Sequence, residues 1–161
     1  MLQALRFILI GSALLSPIAA QAYDLPKSGE AEYDTYYVSE NLHKMEIKME
    51  SGDANSGIAN FTGITRNIKG PGPFNDMSVQ CLMHWSIIRG TWSNSGSCVE
   101  TDRTGDSVFT TFDPNYHYIV GGTGKYKGIS GKARYQADDI HRTVSGKDAW
   151  IVRHNINWEI K

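Results

Sequence analysis

Apolar and polar side chains alternate along much of this chain, and that period of two is the feature that most constrains its fold. The alternation is clearest over residues 149–160. One face there carries Trp150, Val152, His154, Ile156, Trp158 and Ile160, and the other carries mainly polar residues. A period of two is typical of a half-buried β-strand, and no amphipathic helix longer than a turn or two is evident. The pattern therefore predicts an all-β protein.

Further strands are predicted wherever extended segments lie between turn-forming residues. The predicted strands are 31–38, 42–50, 56–66, 77–89, 98–100, 108–112, 116–120, 133–139 and 149–160, with turns at 51–53, 69–73, 93–96, 104–106 and 144–147. Segment 77–89 is apolar on both faces, so we expect it to be central and covered on both sides. The hairpin spacing predicts a closed antiparallel barrel of about eight strands, with a β-sandwich as the alternative. A barrel of this size encloses packed side chains or one small ligand.

The first 22 residues have the three-part pattern of a secretory signal peptide. Arg6 precedes an apolar run over residues 7–15, and Ala20-Gln21-Ala22 forms an A-x-A cleavage site. The run is shorter than the roughly 20 apolar residues that span a bilayer, which disfavours a transmembrane anchor. Removing these 22 of 161 residues leaves 139, and loss of Arg6 takes the net charge from -1 to -2. We therefore expect a periplasmic or secreted protein with a signal peptide at 1–22 and one β-barrel domain at 23–161.

Export determines how the two cysteines are interpreted. Cys81 and Cys98 are the only cysteines, and disulfides persist in oxidising compartments. Their spacing fits neither a C-x-x-C redox motif nor a zinc ligand set. We predict a Cys81–Cys98 disulfide, which for a loop of this size stabilises the fold by about 3 kcal/mol in the chain-entropy view.

The charge balance excludes one class of partner. The chain has 16 Lys and Arg against 17 Asp and Glu, whereas a protein that binds nucleic acid through its phosphates carries a basic excess. Hydrophobic residues make up 40%, which is too many for a disordered chain. No segment after the signal is long and apolar enough to enter a membrane. We expect neither nucleic-acid binding nor a membrane span.

Glycines are concentrated in one segment, residues 120–131. They are Gly121, Gly122, Gly124, Gly128 and Gly131. A Walker A loop would need Gly at position 119 and Ser or Thr at 126, where this chain has Ile119 and Tyr126. The glycines instead predict a compact turn and a short helical turn between two strands. Tyr126 and Ile129, three residues apart, are placed to plug one end of a barrel.

This glycine segment resembles a connection found in the allene oxide cyclase-like barrel superfamily, which includes the dirigent proteins of plants. The stretch from Cys98 to Asp106, together with the cysteine strand, is most similar to exported bacterial members of unknown function. The resemblance covers residues 80–135 and implies an eight-stranded antiparallel barrel with an apolar cavity. It also implies isomerisation, cyclisation or stereochemical guidance of reactive intermediates, and self-association. No position matches the catalytic residues of those enzymes, so none is assigned.

Two sets of side chains are candidates for lining a cavity. The aromatic set is Tyr33, Tyr37, Trp85, Trp150 and Trp158, and the second set is His43, Met45 and His154, which lie on apolar strand faces. Interior imidazoles can act in acid–base chemistry or hydrogen-bond a ligand. The alternatives are aromatic packing in the core and histidines satisfied by neighbouring hydroxyl or carbonyl groups.

The acidic residues do not form a recognisable metal site. Asp102 and Asp106 flank Gly105 in a stretch that lacks the spacing of an EF-hand and contains Arg103, which favours a hairpin loop. Asp139 and His141 share a strand face, but nothing in the sequence completes a ligand shell. We expect no metal and no cofactor.

These observations leave three hypotheses for function. The leading one is an exported barrel that binds a small apolar or aromatic ligand without catalysis. The alternative is an isomerase or cyclase acting on an apolar intermediate inside the barrel, which would need polar groups converging on a reacting atom. The third is a structural or protein-interaction role, including a homo-oligomer in which the apolar strand 77–89 is covered.

Overall fold

A computed structural model describes residues 25–70, 72–140, 143 and 145–161, and the chain over these residues forms one closed antiparallel β-barrel. The proposed signal peptide lies outside the described residues. The eight described strands are β1 (Ser28–Ile47), β2 (Ala54–Asn67), β3 (Ser78–Ile88), β4 (Thr91–Thr101), β5 (Ser107–Phe112), β6 (Tyr116–Gly122), β7 (Ile129–Asp139) and β8 (Asp148–Ile160). A 3-10 helix, Gly124–Tyr126, lies between β6 and β7. No helix in these residues is long and apolar enough to cross a membrane.

Each strand pairs with its neighbour in sequence, and β1 closes the barrel against β8. The pairing Tyr33↔His154 is one step of that closing ladder. Apolar side chains point inward because the period of two places alternate residues on the core face. The alternation in β8 is the one predicted, with His154, Ile156 and Trp158 buried and their neighbours exposed. The predicted closed barrel is confirmed, and the sandwich alternative is not what forms.

Strand β1 is longer than predicted and contains a bulge. The separate strands predicted at 31–38 and 42–50 form one 20-residue strand, and the pairing with β2 shifts between Asn41 and His43. A bulge inserts one residue and so exchanges the two faces of the strand beyond it. His43 and Met45, which the unbroken alternation places on the inner face, therefore lie on the outer face, where both are exposed.

Two further expectations are wrong around β3 and β4. Segment 77–89 was expected to be covered on both sides, but the outer face of β3 is open to solvent. Leu82 on that face is 56% exposed. The turn predicted at 93–96 lies within β4, and the chain instead reverses at Arg89 and Gly90, both with positive φ. Gly96 lies inside the strand, and it has no room for a side chain. The Phe112 ring and the β3 backbone occupy the space where a Cβ would project.

The predicted disulfide is present. Cys81 and Cys98 face each other directly across β3 and β4, with an S–S distance of 2.06 Å. Both side chains point into the barrel and are almost fully buried. The bond thus joins two adjacent strands in the wall of the barrel interior.

One end of the barrel is closed by a packed apolar cluster. Phe74, from the β2–β3 connection, is 1% exposed and stacks with Tyr33 at a centroid distance of 5.6 Å. Tyr126 and Ile129, from the glycine segment, pack in the same cluster together with Trp158. The tight turn and the short helical turn predicted from the glycines therefore contribute to this closed end.

The β4–β5 hairpin holds the glycine segment in place. Asp102 accepts hydrogen bonds from the Thr104 backbone and hydroxyl, pairs with Lys125 at 2.5 Å and accepts a third side-chain bond from Tyr126. Burial opposes ionisation, but the bonds from Lys125 and Thr104 lower the pKa of Asp102 to about 2. The stretch is a hairpin turn, as the sequence predicts, and Asp106 accepts a hydrogen bond from the Lys125 backbone N–H at 3.1 Å.

Candidate functional site

An apolar cavity of about 160 Å³ occupies the half of the barrel opposite the closed end. Its lining residues come from β1 to β8: Tyr37, Phe61, Cys81, Met83, Trp92, Asn94, Cys98, Phe112, His117, Tyr135, Ala137, Trp150, Val152 and His154. Trp92 is 47% exposed and stacks on Trp85 at the rim. The cavity is therefore bounded by the disulfide on one side, by aromatic rings around most of its wall, and by solvent at the rim.

Two histidines in the cavity wall form a hydrogen-bonded chain with two threonines. His117 Nδ1 lies 3.0 Å from His154 Nε2, and His117 Nε2 lies 2.6 Å from Thr110 Oγ1. At the other end, His154 Nδ1 lies 3.5 Å from Thr35 Oγ1. A neutral imidazole donates from one ring nitrogen and accepts at the other, so the whole chain is satisfied by either of two opposite sets of tautomers. The two rings are thereby held in fixed orientations.

The environment keeps both imidazoles neutral at pH 7. Burial lowers the pKa of His117 to about 4. Burial, and then the neighbouring His117, hold the pKa of His154 well below its ordinary value. Desolvation acts in this direction because it disfavours the charged form of a base. The polar groups of the cavity wall therefore carry no net charge near neutral pH, and the cavity favours a neutral occupant.

A carboxyl group is buried between the cavity and the closed end. Glu100 is 1% exposed and lies two residues beyond Cys98 on the inner face of β4. Its Oε2 has no hydrogen-bond partner among the described residues, and burial raises its pKa to about 7. Burial and the nearby Glu100 together raise the pKa of Tyr33 and Tyr37. Glu100 is thus a fully buried acid whose pKa lies near neutral pH.

The structure separates the eight predicted cavity residues into four groups. Tyr37, Trp150 and His154 line the cavity. Tyr33 and Trp158 pack in the closed end, and Trp85 lies beside the rim, where its indole donates to Asn41 Oδ1 at 3.1 Å. His43 and Met45 are on the outer face, beyond the bulge. The pairing expected for His43 with His154 is therefore not made, and His117 takes that place.

Several cavity residues were not singled out from the sequence. His117 is the most important of them, and a signal for it was present. It alternates with Tyr116 and Tyr118 in the predicted strand 116–120, so it falls on the same face as Ile119. The other omissions are Trp92, Asn94 and Tyr135, and five apolar residues that resemble ordinary core positions, namely Phe61, Met83, Phe112, Ala137 and Val152.

The described residues include no cluster of three or more His, Cys, Asp or Glu suited to a metal ion. Asp138 and Asp139 are exposed at the end of β7. His141, which the sequence places on the same strand face as Asp139, lies outside the described residues.

The chain was compared with known families and structures. No protein-family model matches it, and no curated protein matches it. Two solved structures similar to it are pterocarpan synthase dirigent proteins. GePTS1 is 13% identical, with a TM-score of 0.44 over 98% of this chain and 100% of that chain. PsPTS1 is 13% identical, with a TM-score of 0.46 over 85% of this chain and 99% of that chain. The eight-stranded barrel itself is established by the strand pairing described above.

Proposed function

We propose that this protein binds a small, neutral, planar apolar molecule inside the barrel. The observation that carries the proposal is the apolar cavity next to the His117–His154 pair. Its volume of about 160 Å³ is close to that of an engineered cavity of roughly 150 Å³ that binds benzene. The occupant is therefore the size of a single ring with few substituents.

The chemistry of the wall supports an aromatic occupant. Phe112, Trp150 and Tyr135 present rings to the cavity, and aromatic rings prefer offset or edge-to-face contacts with one another. Asn94 also lines the cavity, and its Oδ1 has no partner among the described residues. A ligand with one hydrogen-bond donor would satisfy that amide oxygen, which fits the usual plan of an apolar pocket with a few polar groups.

A cavity-filling variant tests this proposal. Val152 lines the cavity, so Val152→Trp should occupy it, whereas Val120→Trp adds the same ring on the exposed outer face of β6. We expect benzene and toluene to raise the melting temperature of the wild type and of Val120→Trp, and to leave that of Val152→Trp unchanged. Equal shifts in all three proteins would place the binding elsewhere and contradict the proposal.

We further propose that the protein is exported and matures by cleavage after Ala22. The signal pattern at 1–22 and the Cys81–Cys98 disulfide support this, since disulfides accumulate outside the reducing cytoplasm. Intact-mass analysis of the protein recovered from its native host should give a chain that begins at Tyr23 and lacks two hydrogens. A chain that retains residues 1–22 would contradict export by this route.

Proton transfer within the cavity is the second candidate function, and the His117–His154 pair is the observation that favours it. A neutral imidazole can take a proton from a bound carbon acid and return it at another position. Cyclopentenone, a carbon acid of about the right size, is a suitable probe. Faster deuterium incorporation by the wild type than by His117→Gln would indicate acid–base catalysis. Equal rates in the two proteins would exclude this candidate for enones.

A further inference from the structure

The second half of β1 is an open sheet edge in the described part of the chain. Pairing of β1 with β8 ends at Ser39↔Asp148, whereas pairing with β2 continues to Ile47↔Ala54. Residues 40–47 therefore have β2 on one side and no described strand on the other, and all of them are exposed. The barrel is closed over its main body but leaves this strand end projecting beyond β8.

The side chains of this projecting segment are segregated by face. Beyond the bulge, His43, Met45 and Ile47 lie on the outer face, where Met45 is 56% and Ile47 is 57% exposed. Lys44 and Glu46 lie on the opposite face and form an exposed ion pair of 3.6 Å within the chain. An open edge with one apolar face is a template for another strand, because its backbone N–H and C=O groups are unpaired.

The order of the charges makes the segment complementary to itself. In an antiparallel pairing centred on Met45, Lys44 of each copy lies opposite Glu46 of the other, and His43 lies opposite Ile47. The two apolar faces then form one continuous surface. Opposite charges that face each other across strands are stabilising, and like charges are destabilising.

The neighbouring registers lack this complementarity. Moving the centre to Lys44 places the two lysines opposite each other, and moving it to Glu46 places the two glutamates opposite each other. If the pairing is centred between two residues, such as Lys44 and Met45, apolar side chains of one copy lie opposite charged side chains of the other. The charge pattern thus selects one register among those that the five residues 43–47 allow.

We propose that the 43–47 edge of β1 pairs with the same edge of a second copy, forming a two-fold symmetric dimer with a sheet continuous across both barrels. The partner is a second copy because the charge order is self-complementary in the Met45-centred register. The ligand cavity is not part of this surface, so dimerisation is independent of the proposed binding function. The short contact gives a concentration-dependent dimer, since interfaces of this kind bury little area.

Charge reversal and charge exchange test the register directly. Lys44→Glu replaces both intermolecular ion pairs with repulsive pairs, and Lys44→Glu with Glu46→Lys restores them in the opposite sense. Lys127→Glu makes the same charge change on an exposed residue at the closed end of the barrel and serves as the control. Sedimentation equilibrium at low salt measures the dimer dissociation constant of each protein.

We expect the wild type to dimerise, Lys44→Glu to raise the dissociation constant about tenfold, and the exchanged double variant to return to the wild-type value. Lys127→Glu should match the wild type. Amide hydrogen exchange at residues 43–47 should slow as protein concentration rises. A wild type that stays monomeric to millimolar concentration would overturn the proposal, and so would a double variant that dimerises no better than Lys44→Glu.

Discussion

His117 Nδ1 lies 3.0 Å from His154 Nε2 across the interior of the barrel. The other ring nitrogen of each histidine contacts a threonine hydroxyl, Thr110 for His117 and Thr35 for His154. This pair places two neutral imidazoles in the wall of an otherwise apolar cavity. Its acid–base behaviour is therefore a direct report on how well water is excluded from the barrel.

Acid should destabilise the protein through this pair. The pKa of His117 is about 4 in the folded protein and about 6.5 when unfolded, so the unfolded chain binds more protons between these values. The contribution of His117 to the free energy of unfolding is fully present above pH 6.5 and is lost as the pH falls towards 4. The loss amounts to roughly 3 kcal/mol. The titratable neighbours are His154, Tyr135 and Tyr33, with Glu100 beyond Tyr33.

Urea unfolding of the wild type and of His117→Gln, from pH 7 to pH 4.5, measures this effect. We expect the free energy of unfolding to fall more steeply for the wild type. Parallel pH profiles in the two proteins would show that the His117 site is hydrated and would contradict the buried pair.

Glu100 should change the stability of the protein with pH in the direction opposite to His117. Burial raises its pKa from 4.5 to about 7, so its contribution to stability is fully present below pH 4.5 and is lost as the pH rises through 7. Glu100→Gln removes the ionisation while it keeps the shape of the side chain. The variant should gain roughly 3 kcal/mol over the wild type on going from pH 4.5 to pH 8. A difference between the two proteins that does not change with pH would contradict a buried, unpartnered carboxyl.

Two glycines with similar backbones should differ in their tolerance of alanine. Gly124 and Gly105 both have positive φ, at 50° and 88°, so alanine strains either position by about 1 kcal/mol. A Cβ at Gly124 would also collide with the Asp106 carboxylate, whereas the space at Gly105 is open. Thermal unfolding should therefore show a larger loss for Gly124→Ala than for Gly105→Ala. Equal losses would mean that the hairpin does not hold the glycine segment as described.

The barrel could be predicted from the sequence because its evidence is local and repeated. Each strand carries its own period of two, and the resemblance of the glycine segment implied the same architecture. Cys81 and Cys98 could be paired because they were the only two cysteines. Each of these inferences depended on the residues of a single segment or on a simple count.

The site could be predicted only in part, because its geometry depends on how segments pair. The bulge near Leu42 depends on the β2 partner, and it turned His43 and Met45 outward. The sequence pattern placed a turn at Gly96 and so missed the turn at Arg89 and Gly90. Gly96 lies within a strand, where the Phe112 ring leaves no space for a Cβ. The alternation in strand 116–120 predicts the face on which His117 lies. Its partner His154 is 37 residues away in sequence and is brought close only when the barrel closes.

The central claim is that the barrel holds a single-ring apolar molecule beside the histidine pair. Intermolecular NOEs from benzene to the assigned protein measure this most directly. We expect contacts from benzene to protons of Trp150, His117 and Val152, with none to the exposed ring of Tyr36 on the outer face. NOEs only to outer-face residues, or no NOEs at saturating benzene, would contradict the claim.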